Sequence, residues 1–250
     1  MKIALAVPRL VKDINANINA INNLISEACL NGASLVLLPE ATLTGLINND
    51  VYEHDIKIAL SINDKIVADL CAQAKNNDVW LCFGFLEKED NRIYDSAVLV
   101  NPTGEISIHY RRINPRWRAQ NLPANQYAEG GEMKSTTTPF GKTAIVICGD
   151  LFDDNVISML DPICPDLVLF PFARCFPSKI KDVQKEWDET EKYEYINQAK
   201  RTGATVAMTN YIGSAEIEDT SFGGAFVVNV KGEMLASLPL LQEGILYCDV

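Results

Sequence analysis

Apolar positions along the chain follow two different periods. Residues 3–7 form an unbroken apolar run that predicts a short buried strand. Ile14, Ile18, Ile21, Ile25 and Ala28 then recur at alternating intervals of four and three, the period of a helix with one wet face. Asn31-Gly32 stops that helix, and residues 34–38 predict a second buried strand ending at Pro39-Glu40. The opening therefore reads β-α-β.

A helix is predicted over 58–74, and strands over 79–85 and 93–100 form a hairpin around the polar tip Glu89-Asp90-Asn91. Asn101-Pro-Thr-Gly104 turns into a strand at 106–110. Residues 111–132 lack any period, and a loop that long inside a folded unit is often functional. A strand at 143–147 then stops at Cys148-Gly-Asp150, followed by a helix over 153–160 and a strand at 167–170. The segment 181–201 holds 11 charged residues among 21, yet Val183, Trp187, Tyr195 and Ala199 share one helical stripe, so its charges should face water. Strands at 204–209 and 224–230, the turn Lys231-Gly232 and two short strands near Met234 and Ile245 complete the pattern. No fixed-period repeat or linker-like stretch occurs, so residues 1–250 read as one domain of mixed sheets covered by helices.

Composition narrows the partners. Thirty-three acidic against 22 basic side chains leave a net charge of −11, which repels phosphate backbones and anionic lipid, so nucleic acid is not expected. No apolar run approaches the ~20 residues of a membrane span, and residues 1–10 are too short in apolar character for a signal-peptide core. The seven cysteines are scattered with no C-x-x-C pair, which argues against a disulfide framework or structural zinc and for a reduced, cytoplasmic setting.

G-x-S-x-G and G-x-G-x-x-G do not occur, Gly141-Lys-Thr143 lacks the upstream glycine of a phosphate loop, and two histidines are too few for an imidazole metal cluster. Three polar positions at strand ends remain: Glu40, the pair Arg111-Arg112, and Cys148. Ends of parallel strands are where open α/β folds place their sites. A thiol between a strand and a helix start meets backbone N–H groups that favour the thiolate.

These residues sit in segments whose combination resembles the nitrilase superfamily of carbon–nitrogen hydrolases over essentially the whole chain. Leu-Val-Leu-Leu-Pro-Glu40 resembles its glutamate motif, Gly104-Glu-Ile106 through Tyr110-Arg-Arg112 its lysine motif, and Ala144-Ile-Val-Ile-Cys-Gly-Asp150 its nucleophile motif. Pro165-Asp-Leu-Val-Leu-Phe-Pro171, Ala207-Met-Thr-Asn210, Phe222-Gly-Gly-Ala-Phe226 and Glu243-Gly-Ile-Leu246 resemble its remaining strand blocks in order. The resemblance implies a four-layer α-β-β-α sandwich, two mixed sheets face to face with helices outside, assembled as a homodimer or larger homo-oligomer. It also implies chemistry without metal or cofactor on a small amide or related compound. Glu40 would be the general base and Cys148 the nucleophile of a thioester intermediate, with Gly149 N–H on the developing oxyanion and Phe172 and Ala173 beside the substrate.

The chain departs from the pattern at the family's catalytic lysine, which is Arg112 here, and Arg201 stands where many relatives carry an acid. A guanidinium keeps the charge but presents a planar fork instead of a compact ammonium. Two readings follow. In one, Arg112 substitutes as the oxyanion cation of an active hydrolase. In the other, the chain is a catalytically silent relative in which Arg112 clamps a ligand carboxylate or the pocket meets a partner. Trp117, Arg118 and Arg174 are further candidates for shaping the pocket.

Overall fold

The continuous apolar run near the start becomes β1 (Lys2–Val7), buried along nearly its whole length, and the four-three spacing becomes α1 (Ile14–Leu30). Asp13 caps α1, accepting from Asn15 N at 2.9 Å and Ala16 N at 3.4 Å, a device worth about 1 kcal/mol. In this computed structural model, which describes residues 1–177, 179–215 and 221–250, the chain continues through β2 (Leu35–Leu37), α2 (Tyr52–Ile58) and α3 (Lys65–Asn76). The hairpin β3 (Trp80–Glu89) and β4 (Arg92–Val100) follows, then β5 (Ile106–Arg111). The second half runs β6 (Ser135–Thr138), β7 (Gly141–Ile145), α4 (Asp154–Ser158), β8 (Leu167–Pro171), α5 (Val183–Glu186), α6 (Lys192–Arg201), β9 (Thr205–Thr209), β10 (Ala225–Val228), β11 (Met234–Leu238) and β12 (Gly244–Asp249).

Two six-stranded sheets result, ordered β12-β1-β2-β3-β4-β5 and β11-β10-β9-β8-β7-β6. Each is mixed, with a parallel trio (β1, β2, β3 and β7, β8, β9) flanked by antiparallel strands. Strand alternation sends one set of side chains from each sheet inward. Leu5, Leu37, Leu99 and Tyr110 meet Ile145, Ile147, Leu169 and Ala207 in the core between the sheets. The opposite parity packs outward, Phe83 and Val98 under α1 and α3, and Phe170 and Val206 under Tyr195 and Ala199 of α6. The architecture is the expected α-β-β-α sandwich. Among the described residues no helix is long and apolar enough to cross a membrane.

Three local expectations need correction. The helix expected over 58–74 starts only at Lys65, where Asp64 caps it at Ile66 N, because Leu60 instead exchanges hydrogen bonds with Leu86 and Lys88 at the end of β3; the separate α2 lies before that span. The charged helix at 181–201 contains a π-helical turn, Trp187–Glu191, between α5 and α6. Strand β6 escaped notice, since Ser-Thr-Thr-Thr at a sheet edge carries no apolar alternation.

Candidate active site

Three chain turns converge at one end of the inter-sheet core. The first follows β2. Leu38-Pro39 leads to Glu40, and the next residue, Ala41, adopts φ +43°, a left-handed conformation costing a non-glycine residue about 1 kcal/mol. Gly84 of β3 lies against this turn so closely that a Cβ there would come within 2.8 Å of Glu40 Cα. Thr42 N donates to Gly84 O at 2.9 Å, so the two backbones clasp each other and hold Glu40 at 0% exposure.

The second turn follows β5. Arg112 N donates to Asp95 O at 2.8 Å, extending the β4–β5 ladder by one residue, and parity sends the Arg112 side chain inward beside Tyr110. The third follows β7. Cys148 itself has φ +44° and opens a 3-10 turn, Cys148–Phe152, between the strand end and α4. Asp150 ties the last two turns together, accepting from Ile147 N (3.1 Å), Ile113 N (3.1 Å), Asn114 N (2.8 Å) and Tyr110 Oη (2.7 Å). Burial pushes the Asp150 carboxyl up to about 6, against the opposing pull of Arg112 and these hydrogen bonds.

Arg112 Nη1 donates to Glu40 Oε1 at 2.9 Å and to Asp95 Oδ2 at 3.2 Å, and its Nη2 lies over the Cα of Gly149. Burial drives the Glu40 carboxyl well above the usual range; the nearby charges of Cys148 and Asp95 push the same way, and Arg112 only partly offsets them. Burial disfavours the Arg112 charge, but Cys148, Glu40, Asp95 and Asp150 hold it on. Glu40 Oε2 and Asp95 Oδ1 are buried and accept from no donor among the described residues. Two carboxylates thus crowd one guanidinium, and Arg112 does not offset the burial of Glu40. Cys148 Sγ is half-buried and donates to Ala173 O at 3.5 Å; Asn210 Nδ2, donating to Arg174 O at 3.0 Å, steadies that loop.

The structure therefore brings Glu40, Arg112, Cys148, Gly149 and the Ala173 carbonyl together. Phe172 is different. Its ring is fully buried, 5.3 Å from Phe170 and 5.5 Å from Tyr195, and belongs to the core under α6. Trp117 packs with Tyr127, and Arg118 pairs with Glu129 at 2.6 Å. Arg174 pairs with Glu191 of the π turn, and Arg201 with Asp154 at 2.6 Å. Asp95 and Tyr195 were missed. Asp95 did leave a signal, a carboxylate at the inward parity of the apolar strand β4, shared with Ala97 and Leu99. Tyr195 left none that separates it from other apolar-stripe residues, yet it lies near enough to Cys148 for that charge, after burial, to raise its phenol. Among the described residues no group of three or more His, Cys, Asp or Glu side chains is arranged to hold a metal ion.

The family model described as carbon-nitrogen hydrolase matches residues 2–250. The chain belongs to the carbon–nitrogen hydrolase family. This hydrolase-family chain is 30% identical over 145 residues to an arylacetonitrilase of Hypocrea virens, covering 54% of the chain and 44% of the relative. It is 23% identical over 244 residues to a nitrilase and fragile histidine triad fusion protein of Drosophila melanogaster, covering 94% and 50%. A formamidase of Allorhizobium ampelinum is 29% identical over 147 residues, covering 56% and 40%. The chain spans about half the length, or less, of these relatives.

Among solved structures, an amidase from Nesterenkonia sp. superposes with TM-score 0.81 at 19% identity, covering 100% of this chain and 90% of that one. A carbon-nitrogen hydrolase from Helicobacter pylori G27 gives TM-score 0.82 at 20% identity, covering 99% and 87%. At such identity the likeness speaks for the fold. A mutant of the Nesterenkonia amidase is described with the acetamide moiety of fluoroacetamide added covalently at its active site cysteine.

Proposed function

We propose that this chain hydrolyses a small non-peptide amide or carbamoyl compound through a thioester on Cys148. Glu40 takes the thiol proton as the thiolate attacks the carbonyl carbon, and the C=O electron pair moves onto oxygen. Arg112 and Gly149 N–H meet that oxyanion. The tetrahedral species collapses, the C–N bond breaks, and the departing amine takes its proton from Glu40. Glu40 then deprotonates water for attack on the thioester, releasing the acid and returning the thiol.

The observation that carries this reading is the guanidinium of Arg112, which bonds Glu40 on one amino group and lies over Gly149, the residue after Cys148, on the other. Membership of the family and the cysteine adduct in the related amidase support the same chemistry. The raised Glu40 carboxyl suits a group that must accept a proton and later return it. The silent reading, with Arg112 clamping a ligand carboxylate, is disfavoured on electrostatic grounds: two buried carboxylates already engage Nη1, and a third anion would add repulsion.

The test is ammonia release from formamide, acetamide and propionamide at neutral pH, with intact-protein mass after exposure to fluoroacetamide. Turnover of at least one amide, and an adduct that disappears in Cys148→Ala, are expected. No turnover and no Cys148 adduct with any of them would sink the reading.

A further inference from the structure

Glycine at position 149 has no conformational reason to be there. It is not in the left-handed region, unlike Cys148 before it, and it lies inside a 3-10 turn where a side chain is ordinarily tolerated. What a side chain would meet is specific. A Cβ on Gly149 would clash with Arg112 Nη2 and come within 3.0 Å of Asn114 Oδ1. The far end of an arginine can usually swing away from such a clash. Arg112 cannot swing freely, because it is 3% exposed and its other amino group is held by both Glu40 and Asp95.

We propose that Gly149 is a positioning residue for Arg112: its missing side chain is the space that admits a planar guanidinium beside Cys148 where a shorter cation would need none. This inference rests on the hydrolytic reading only for its catalytic consequence; the steric coupling between positions 112 and 149 stands by itself. A guanidinium carries its second amino group past Nη1, and that group occupies the volume a side chain at 149 would fill. Asp95 anchors the opposite side, so the cation is pinned between a carboxylate pair and an empty Cβ position. With both supports it presents an N–H edge toward the turn that carries Cys148. Displacing it by about 1 Å is enough to cost ~10²-fold in an oriented reaction.

A double-mutant cycle tests this, using wild type, Gly149→Ala, Arg112→Lys and the double variant. The readouts are acetamide turnover, the pH profile of Cys148 alkylation by limiting iodoacetamide located by peptide mass, and the thermal unfolding midpoint. Gly149→Ala is expected to lower kcat about 10²-fold with little change in KM when Arg112 is present, and to add less than about threefold to the effect of Arg112→Lys. The alkylation profile should shift on Gly149→Ala only when Arg112 is present. Equal factors and equal profile shifts in both backgrounds would overturn the proposal. Should acetamide not be hydrolysed by wild type, the hydrolytic reading is what suffers, and the alkylation profiles decide the coupling. If Gly149→Ala folds only together with Arg112→Lys, the coupling is supported; failure of both to fold counts against it.

Discussion

Arg111 and Arg112 are adjacent in the chain, each bonds a fully buried glutamate, and the two glutamates respond in opposite directions. At Glu87 every demand is met. Arg111 donates through Nη2 at 2.6 Å and Nε at 3.0 Å, His109 Nε2 lies at 2.7 Å and Ser96 Oγ donates at 2.6 Å, while Arg111 stacks 3.9 Å from the Tyr94 ring centre. Burial alone would raise this carboxyl, but the bonds from His109, Arg111 and Ser96 outweigh it and bring it down to about 2. At Glu40 burial wins, because Arg112 is shared with Asp95, the neighbouring Cys148 and Asp95 push the carboxyl the same way, and one of its oxygens accepts from no donor among the described residues. The difference teaches that an arginine–glutamate pair is structural when its hydrogen bonds are complete. It becomes a poised acid–base group when carboxylates outnumber donors.

The comparison breaks most sharply in activity. Glu40→Gln is expected to remove amide turnover by ~10³-fold or more while changing stability at pH 7 by less than about 1 kcal/mol, since Asp95 still holds Arg112. Kinetics and urea unfolding on one preparation check both halves; a large loss of stability would show that Glu40 is structural after all. Glu87→Gln should do the reverse, costing about 3 kcal/mol of unfolding free energy while turnover stays within about threefold.

The pH dependence separates the two sites further. Glu87, lowered from 4.5 to about 2, contributes stability that is present above about pH 4.5 and lost as pH falls toward 2. Glu40, raised in the folded state, keeps a proton that the unfolded chain has released, so its contribution is present below the ordinary glutamate value and lost as pH rises through the raised one. Urea titrations at stepped pH should find the acid-side decline flattened in Glu87→Gln and the higher-pH decline flattened in Glu40→Gln. The smallest expected effect is that of Arg111→Lys, about 1 kcal/mol from losing the fork on Glu87 and the stack on Tyr94, read by thermal unfolding with kcat unaffected.

Much of this was legible beforehand. Buried strands and the first helix follow from apolar spacing, whereas the strand expected at 106–110 stops short of Arg111, and the β4–β5 pairing is what sends the two arginines to opposite faces. The late start of α3 was less visible, because Leu60 leaves the helical pattern for bonds to Leu86 and Lys88, a partner strand more than twenty residues on. Phe172 shows the same limit. Its strand, Leu-Val-Leu-Phe-Pro, copies the one before Glu40, but the ring after it finds an aromatic core under α6 instead of the site.

The chain's own pattern determined the layered α/β architecture, the three strand-end turns and the residue types at 40, 112 and 148, because periodicity and turn chemistry act over a few residues. Only the tertiary structure decided that Asp95 joins Arg112, that Asp150 ties two turns together and that Gly149 leaves room for a guanidinium. Those are distances between segments far apart in sequence, set by how two sheets pack, and no local pattern encodes them.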